Sequence, residues 1–468
     1  MIPILLFMLL LPFAGILGVI ISKKGGSAAP IAVAVIELLL FFYVARTFLS
    51  SGPFGESYQF LPNIANFDLY VGSLNIAFVF LTSIVFLAAS MASAFFMKEE
   101  KIGHGALMML AECSVLGMFL SGNLLVLYLF WDLAIVSFFF MLFHFGGFDR
   151  RYASVKFIIY SLLSSSLLLI GIIMIYFYMP SHTLSISQLV KYGYTMPRQF
   201  QTIVFILLML AFIIKMPVFP LHSWAIDAYP ESPPGGAMLL SGVLSKFGVY
   251  GMLILFISLP VARNYSLVVA LLLAFSALYG AATAMVQKDI KRMLSYLSIS
   301  EVAIVGFAIA TFTIAGIDGA IFGSVSHALI ISLLFLLAFS VEKVFGTTLI
   351  GRLSGILSQY RLIGYGFLFG IFASIGLPLT TGFITDLLVF IGGVESFGLL
   401  ILALALAIAV NASYLFWMYE RAFLTGKNAN MFALLDKDAE ASIFMLIAFI
   451  VLIGAFPSIV LNMVGALI

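Results

Sequence analysis

Charge and cysteine are the two things that this sequence has least of. Of its 468 residues, 9% are charged, and Cys113 is the only cysteine. Soluble globular domains carry about 25% charged residues, so this chain cannot cover a water-facing surface. One cysteine cannot form a disulfide scaffold. A net charge of +2 argues against a nucleic-acid binder, and the shortage of polar sequence argues against a disordered chain.

Most of the sequence consists of apolar residues. They make up 63% of the chain, aromatic residues 15%, and the mean hydropathy is +1.21. The apolar runs are continuous rather than alternating, which excludes a transmembrane β-barrel. The first run is followed, not preceded, by Lys23 and Lys24, so we expect no cleavable signal peptide. The sequence predicts an all-α polytopic membrane protein.

Runs of about 20 apolar residues, separated by charge, Pro or Gly, mark the membrane-spanning helices. We predict fourteen, called spans 1 to 14 below. Their limits are 2–21, 29–49, 72–97, 104–121, 123–146, 152–179, 198–229, 234–259, 264–286, 293–315, 317–341, 362–392, 396–422 and 440–465.

Basic residues gather on the cytoplasmic side of membrane proteins, and this bias supports the count. With the N-terminus outside, inward loops hold 16 Lys and Arg residues and outward loops hold 4, the other two of the 22 being inside spans. Both termini are then outside, in an inner (cytoplasmic) cell membrane. The inward residues are Lys23, Lys24, Lys98, Lys101, Arg150, Arg151, Lys156, Lys288, Lys291, Arg292, Lys343, Arg352, Arg361, Arg421, Lys427 and Lys437, and the outward ones Arg46, Lys191, Arg198 and Arg263.

Seven titratable residues interrupt the apolar spans. Each costs roughly 2.5–3.5 kcal/mol at a helix centre, so each needs a reason. One explanation is structural ion pairing, as Asp132 with Lys215. The other is a proton relay, since pumps use such series and a buried lysine can lose and regain its proton. We favour the relay for the whole series: Glu112, Asp132, Lys215, Lys246, Glu301, His327 and Asp386.

Two spans contain helix breakers beside these charges. Pro217 and Pro220 follow Lys215 in span 7, and Gly376, Pro378 and Gly382 precede Asp386 in span 12. Interrupted helices in matching positions mark the ion site of inverted-repeat transporters. Asp132 to Glu301 is 169 residues and Lys215 to Asp386 is 171.

We therefore predict two five-helix copies, spans 4–8 and spans 9–13, which the odd helix number sets in opposite orientation. The predicted units are residues 1–103 (spans 1–3), 104–260 (first repeat), 261–425 (second repeat) and 426–468 (span 14).

The run KMPVFPLHSWAIDAYPESP over residues 215–233 resembles the K-x-P-x-x-P-x-H-x-W-L-P-D-A-x-x-x-A-P signature of antiporter-like subunits. These subunits occur in respiratory complex I, Mrp sodium/proton antiporters and membrane-bound hydrogenases. LLSGVLSKFGVYG at 239–251, KDIKRMLSYLS at 288–298, Ser326-His327 and GLPLTTGF at 376–383 add to the likeness. The chain is most similar to the M-type subunit of complex I and the D-type subunit of Mrp.

The resemblance implies a role for each intramembrane residue. Asp132 and Lys215 would form the coupled acid–lysine pair, and Lys246 would be the central proton carrier. His327 would continue the path to Asp386, the terminal group. Glu112 is a candidate for proton uptake, with packing or pairing an equal alternative.

Three departures from the family leave the ion open. Asp132 stands where the family usually has Glu, and Asp386 stands where it usually has Lys or Glu. Glu301 stands where many members have His. A glutamate there could attract a cation, so the ion is H⁺ or Na⁺.

The expected function is a proton-translocating antiporter-like subunit of a complex I-related assembly. Its partners would be the other membrane subunits of a complex I-like, hydrogenase-like or Mrp-like complex, and lipid. The alternatives are an Mrp-type Na⁺/H⁺ antiporter subunit and a transport-inactive anchor for a redox module. No metal, haem or iron–sulfur ligand set occurs in the sequence, so we expect no cofactor in this chain. Redox chemistry would belong to other subunits.

Overall fold

A computed structural model describes residues 3–22, 26, 28–61, 65–97, 101–179, 182–426 and 431–465. Lys23, Lys24, Lys98 and Lys427 of the inward set lie outside the described residues. Within those residues the chain is almost entirely helical, as the composition predicts. Two short strands form the one sheet seen there.

Twenty α-helices follow one another in the described chain. They are α1 (Ile4–Ser22), α2 (Ala28–Ser51), α3 (Ile76–Phe96), α4 (Lys101–Leu120), α5 (Leu124–Phe145), α6 (Arg150–Tyr178), α7 (Ile186–Tyr192), α8 (Arg198–Lys215), α9 (Ser223–Glu231), α10 (Pro234–Leu239), α11 (Lys246–Ser258), α12 (Ser266–Ala284), α13 (Ile290–Ala310), α14 (Ile314–Phe345), α15 (Ile356–Gln359), α16 (Arg361–Ser374), α17 (Thr381–Phe397), α18 (Ile401–Tyr419), α19 (Lys437–Ala455) and α20 (Ser458–Val464).

Thirteen helical stretches in the described chain are long and apolar enough to cross a membrane. An apolar helix of about 20 residues matches the hydrocarbon thickness of a bilayer. One of the thirteen, Thr381–Leu424, is 44 residues long and contains α17 and α18. The chain is therefore a multi-pass membrane protein.

Helix α14 forms the core of the bundle, and its apolar stretch is completely buried. Helices α3, α13, α16, α17 and α19 pack against it. In contrast, only 28% of the apolar stretch of α1 is buried inside the protein. A helix that is apolar all round and buried has no lipid-facing side, so α14 is placed to carry internal polar groups.

Local chemistry sets several helix ends. The side chains of Asn123, Asp289 and Thr313 accept hydrogen bonds from backbone N–H groups in the first turns of α5, α13 and α14. Such N-caps satisfy donors that the helix leaves unpaired. At the other end of α14, Gly346 adopts a left-handed conformation with φ of 74°, which a glycine allows without strain.

Both predicted helix interruptions are present. Span 7 is divided into α8 and α9 by the segment that contains Pro217 and Pro220, because proline has no N–H to continue a helix. Span 12 is divided into α16 and α17 around Gly376 and Pro378. Gly376 has φ of 78°, a backbone conformation that favours glycine.

Span 8 has an interruption that the sequence did not reveal. A π-helical turn, Leu240–Leu244, separates α10 from α11, and Lys246 is the first residue of α11. A similar turn, Glu420–Leu424, ends α18. Single π-turns inside helices widen the backbone locally and are frequent at functional sites.

A β-hairpin between α2 and α3 is also absent from the predicted helices. Strand β1 (Phe54–Leu61) pairs antiparallel with β2 (Ala65–Val71), in register from Phe54–Val71 to Gln59–Asn66, and the register shifts before the last pair, Leu61–Ala65. The Glu56 carboxylate accepts hydrogen bonds from the N–H groups of Leu5 and Leu6 at 2.9 and 3.0 Å. The hairpin thus caps the start of α1.

Candidate functional site

Lys215 is the last residue of α8 and ends it at the helix interruption. Its side chain is 1% exposed. The ammonium lies over the rings of Trp131 and Phe157, 5.5 and 5.4 Å from their centroids, and donates to Ser161 Oγ at 3.5 Å. Aromatic faces attract cations, so the pocket suits a charged lysine without a direct carboxylate.

Asp132 reaches the same region from α5. Its carboxylate accepts a hydrogen bond of 2.5 Å from Ser165 Oγ. Ser161 and Ser165 are four residues apart on α6 and therefore share a face of that helix. Among the described ion pairs, none joins Asp132 directly to Lys215. The acid and the lysine are linked through the serine face of α6, and this set is called the first network below.

Lys246 makes the most direct contact between titratable groups. It is fully buried, and its Nζ lies 2.6 Å from His327 Nδ1. The same ammonium donates to Ser245 Oγ at 3.1 Å and to the Ser241 carbonyl at 3.4 Å. An ammonium only donates, so a charged Lys246 requires a free lone pair on His327 Nδ1. That assignment leaves the ring proton on Nε2.

His327 leads on to Glu301. Nε2 of the ring lies 3.8 Å from Glu301 Oε2 and 3.3 Å from Ser298 Oγ. Glu301 also accepts a hydrogen bond from the Ser374 hydroxyl, at the end of α16. Lys246, His327 and Glu301 come from α11, α14 and α13, and they form one continuous chain of contacts. With Asp386 they are called the second network.

A cavity of about 30 Å³ joins Glu301 to Asp386, and both residues and His327 line it. A water needs about 10–15 Å³ and two to four polar partners, and the cavity provides both. Asp386 follows the interruption of span 12. A Cβ placed on Gly376 would lie 2.7 Å from Asp386 Oδ2, so the glycine leaves room for this carboxylate.

An aromatic layer separates the two networks. The Trp131 ring, which faces the Lys215 ammonium, lies 5.4 Å from the Phe247 ring, next to Lys246 in the chain. The Phe212 ring is 6.1 Å from Trp131. Trp131 is fully buried and its Nε1 has no hydrogen-bond partner among the described atoms. The six residues from Asp132 to Asp386 are thus brought together as two groups rather than one.

Glu112 belongs to neither network. It is 1% exposed in α4, which contacts α2, the helix that carries the buried Glu37. Sequence reasoning missed Glu37, although the rule that selected Glu112 applies equally to an acid inside span 2. It also missed Ser161, Ser165 and Ser374, because serine is common in membrane helices and carries no signal alone.

A charged cluster ties the two halves of the chain together at one end of the bundle. Asp227 of α9 pairs with Lys156 of α6 at 2.7 Å and with Arg292 of α13 at 3.6 Å. Lys291 pairs with Glu342 at 3.0 Å and donates to the Pro230 carbonyl. These ion pairs involve the basic residues that the sequence assigned to inward loops.

Subunits M of two enzyme complexes match almost the whole chain. NADH-quinone oxidoreductase subunit M of Rickettsia felis is 32% identical over 98% of this chain and 97% of its own length. F(420)H(2) dehydrogenase subunit M of Methanosarcina mazei is 30% identical over 99% of this chain and 97% of its own length.

Solved structures share the fold. A chain of respiratory complex I from Thermus thermophilus superposes with a TM-score of 0.91 at 23% identity, covering 99% of this chain and 98% of its own. A chain of the archaeal membrane-bound sulfane sulfur reductase gives 0.90 at 20% identity, with 99% and 96% covered. A chain of the Mrp complex from Dietzia sp. DQ12-45-1b gives 0.89 at 18%, with the same coverage.

The profile of the family described as "NADH:quinone oxidoreductase/Mrp antiporter, TM" matches residues 121–411. That stretch contains both networks and both divided spans. A match over more than half of the chain, with a relative 32% identical along nearly all of it, shows that the chain belongs to the NADH:quinone oxidoreductase/Mrp antiporter membrane family.

Proposed function

We propose that the chain is the proton-translocating, antiporter-like subunit of a multi-subunit membrane complex related to complex I. The observation that carries this proposal is the buried contact sequence Lys246–His327–Glu301. Three titratable side chains in hydrogen-bond or ion-pair range, inside an apolar bundle, are costly to keep there. A relay that passes protons between them accounts for that cost.

In the second network a proton moves in three steps. Lys246 gives a proton from Nζ to His327 Nδ1, and the histidine passes its Nε2 proton toward Glu301. Glu301 delivers it through the small cavity to Asp386. His carries out such transfers because either ring nitrogen can hold the proton. Only side chains of this chain take part, so the proposed path needs no bound metal or redox group.

The first network supplies the control. A proton on Asp132, or a shift of its carboxylate along the serine face of α6, removes negative charge from the neighbourhood of Lys215. A change in the charge of Lys215 acts on Lys246 across the aromatic layer, where no mobile charge screens it. The coupled Asp132–Lys215 pair is therefore proposed to set when Lys246 releases its proton.

We also propose fourteen spans with both termini outside. The 44-residue stretch Thr381–Leu424 is divided at Gly398, whose φ is 54°. Its first part, α17, joins α16 to complete span 12, and α18 is span 13. Spans 4–8 and 9–13 are the two inverted repeats, in units 104–260 and 261–425. In each of them a divided helix ends beside the acid-bearing helix: α8 near α5, and α16 near α13.

The partners are proposed to be other membrane subunits of such a complex, in the cytoplasmic membrane. The names of the relatives, which are subunits of NADH-quinone oxidoreductase and F(420)H(2) dehydrogenase, support an assembly that contains redox subunits. The energy for transport would then come from a neighbouring subunit. A transport-inactive anchor is the remaining alternative, and it predicts that the titratable residues can be replaced without loss of pumping.

A specific observation favours Na⁺ as the second candidate ion. Besides Glu301 and Asp386, the cavity is lined by the hydroxyls of Ser374 and Thr385 and by the amide of Asn411. Hard cations take oxygen ligands of these kinds. Proton pumping that persists without Na⁺ would exclude this candidate, and pumping that requires Na⁺ would favour it.

Replacing Lys246 tests the proposed function. We expect Lys246→Ala to abolish proton movement, because Ala cannot hold the central proton, while the complex still assembles. The measurement is dye-reported acidification of proteoliposomes that contain the purified complex, with subunit composition checked by mass spectrometry. Lys343→Ala, at an exposed inward position, is the matched control. Normal pumping by an intact Lys246→Ala complex would overturn the proposal.

A further inference from the structure

Two buried acids lie outside both networks. Glu37 in the middle of α2 is fully buried and Glu112 in α4 is 1% exposed. Both carboxylate oxygens of Glu37 and Oε1 of Glu112 lack a hydrogen-bond partner among the described atoms. Buried carboxylates normally collect donors, so these three oxygens require an explanation.

The two acids lie at the same level of a small four-helix group. Helices α2 and α4 contact each other and both contact α1 and α3, and α2 and α4 begin at the same end. A Cβ on Gly15 would lie 2.6 Å from Met109 Sδ and 2.8 Å from Val33 Cγ2. This contact sets Val33 and Met109 side by side, and Glu37 and Glu112 each follow by about one turn. Cys113 Sγ, next to Glu112, donates to the Leu9 carbonyl at 3.3 Å.

In the described parts of α1 to α4, no basic residue lies within two helical turns of Glu37 or Glu112 along its own helix, and α1 and α3 contain none. The described parts of α1 and α3 contain no titratable side chain, and Tyr43 and Arg46 of α2 are exposed. On α4 the other titratable residues are Lys101, at its first position, His104 and Cys113. Two ionised carboxylates without a counter-charge would cost many kcal/mol in such a place. One shared proton removes one of the two negative charges, and with it the repulsion between the two carboxylates.

A polar cavity lies at the end where α2 and α4 begin. It has a volume of about 10 Å³, and Ser90, Ser93 and His104 line it. All three are more than nine-tenths buried, and Ser90 Oγ, Ser93 Oγ and His104 Nε2 lack hydrogen-bond partners among the described atoms. His104, Met108 and Glu112 are spaced by four residues and share one face of α4. One turn, bearing Met108, therefore separates the cavity from the acid pair.

We propose that Glu37 and Glu112 form a proton-binding site that holds a shared proton and is loaded from the His104 cavity past Met108. This site goes beyond the proposed function, because neither acid contacts the two networks and binding does not depend on pumping. A failure of Lys246→Ala to stop transport would leave it intact.

Infrared difference spectroscopy of the full chain in lipid nanodiscs tests the binding. Between alkaline and acidic pH, the protonated-carboxyl band of the pair should appear in the wild type. It should disappear in Glu37→Gln and in Glu112→Gln, which mimic the protonated acid and preserve the shape of the site. In each single variant the band of the shared proton should be replaced by that of one isolated carboxyl, at a different frequency.

Glu395→Gln, at an exposed acid of α17, is the control and should leave the band unchanged. A wild-type difference spectrum without a band that both variants remove would overturn the proposal. So would a band that one variant removes while the other changes neither its intensity nor its midpoint. If one variant fails to fold, the other still decides, because each predicts the same loss.

Hydrogen–deuterium exchange of the same band tests the route. Met108→Ala should speed the exchange several-fold by shortening the apolar barrier, and His104→Phe should slow it. Met118→Ala removes an equally buried methionine from the other end of α4 and should have no effect. Equal acceleration by Met108→Ala and Met118→Ala would exclude loading from the His104 cavity.

Discussion

At the scale of single residues, His327 is the link on which the proposed path depends. Its two ring nitrogens face Lys246 on one side and Glu301 with Ser298 on the other. A side chain that only held these groups apart would need a suitable size and the ability to form hydrogen bonds. A side chain that conducts must also accept a proton at one nitrogen and release it from the other.

His327→Gln separates these roles. Glutamine can still accept from Lys246 and donate to a neighbour, but it cannot take up a proton. Because proton transfer by a positioned acid–base group contributes roughly 10²–10⁴-fold, we expect transport to fall by about 100-fold or more. Proteoliposome acidification gives the rate, and the thermal unfolding temperature should stay near that of the wild type. His182→Gln, at an exposed position, should pump normally; near-normal rates in His327→Gln would exclude the relay role.

Sequence reasoning named all six titratable members of the two networks and none of the hydroxyls that connect them. Lys246 and Asp386 stand out because a charge inside an apolar run is rare. Ser374 and Ser165 do not, because their role depends on which helix packs opposite them. Even the distance between Asp132 and Lys215 could not be read from spacing, since α6 contributes the intervening serines.

At the scale of helices, the serine face of α6 turns two separate side chains into a network. Ser165 holds the Asp132 carboxylate and Ser161 meets the Lys215 ammonium. Hydrogen bonds to charged groups contribute about 1.5–3 kcal/mol, and this one fixes where the carboxylate sits.

Ser165→Ala should therefore free Asp132 and slow transport by about tenfold, the change that 1.4 kcal/mol produces. Ser166→Ala is the matched control, because Ser166 is exposed and its hydroxyl bonds only to the Leu162 carbonyl one turn earlier. The same acidification assay compares the two variants. Equal rates in both would mean that the serine face has no part in coupling.

The interruptions of helices were predictable only where a residue type causes them. Pro217 and Gly376 predict the divisions of spans 7 and 12, because proline cannot continue a helix and glycine permits a positive φ. The π-turn before Lys246 has no such marker, since LSGVL can continue an ordinary helix. The turn lies where two helices approach closely, since a Cβ on Gly242 would lie 2.7 Å from Ser332 Oγ of α14. The β-hairpin was overlooked because its strands are short and lie between two long apolar runs.

At the scale of the whole molecule, the charged cluster and the distribution of basic residues agree on one side of the membrane. Asp227 connects Lys156 of the first half with Arg292 of the second, and both basic residues belong to the inward set. The proposed orientation follows from that set, in which inward loops hold 16 basic residues and outward loops hold 4. The orientation that this set predicts can be tested by labelling from either side of the membrane.

Cysteine accessibility measures it with little background, because Cys113 is buried. Ser187→Cys lies in the short helix α7, which also holds Lys191 and connects spans 6 and 7, and Lys288→Cys lies between spans 9 and 10; both positions are exposed. In right-side-out vesicles a membrane-impermeant thiol reagent should label Ser187→Cys and spare Lys288→Cys. Inside-out vesicles should give the reverse pattern, and the unmodified chain should remain unlabelled in both. Labelling of both variants from one side would contradict the proposed odd number of spans between these loops, and a reversed pattern would place both termini inside.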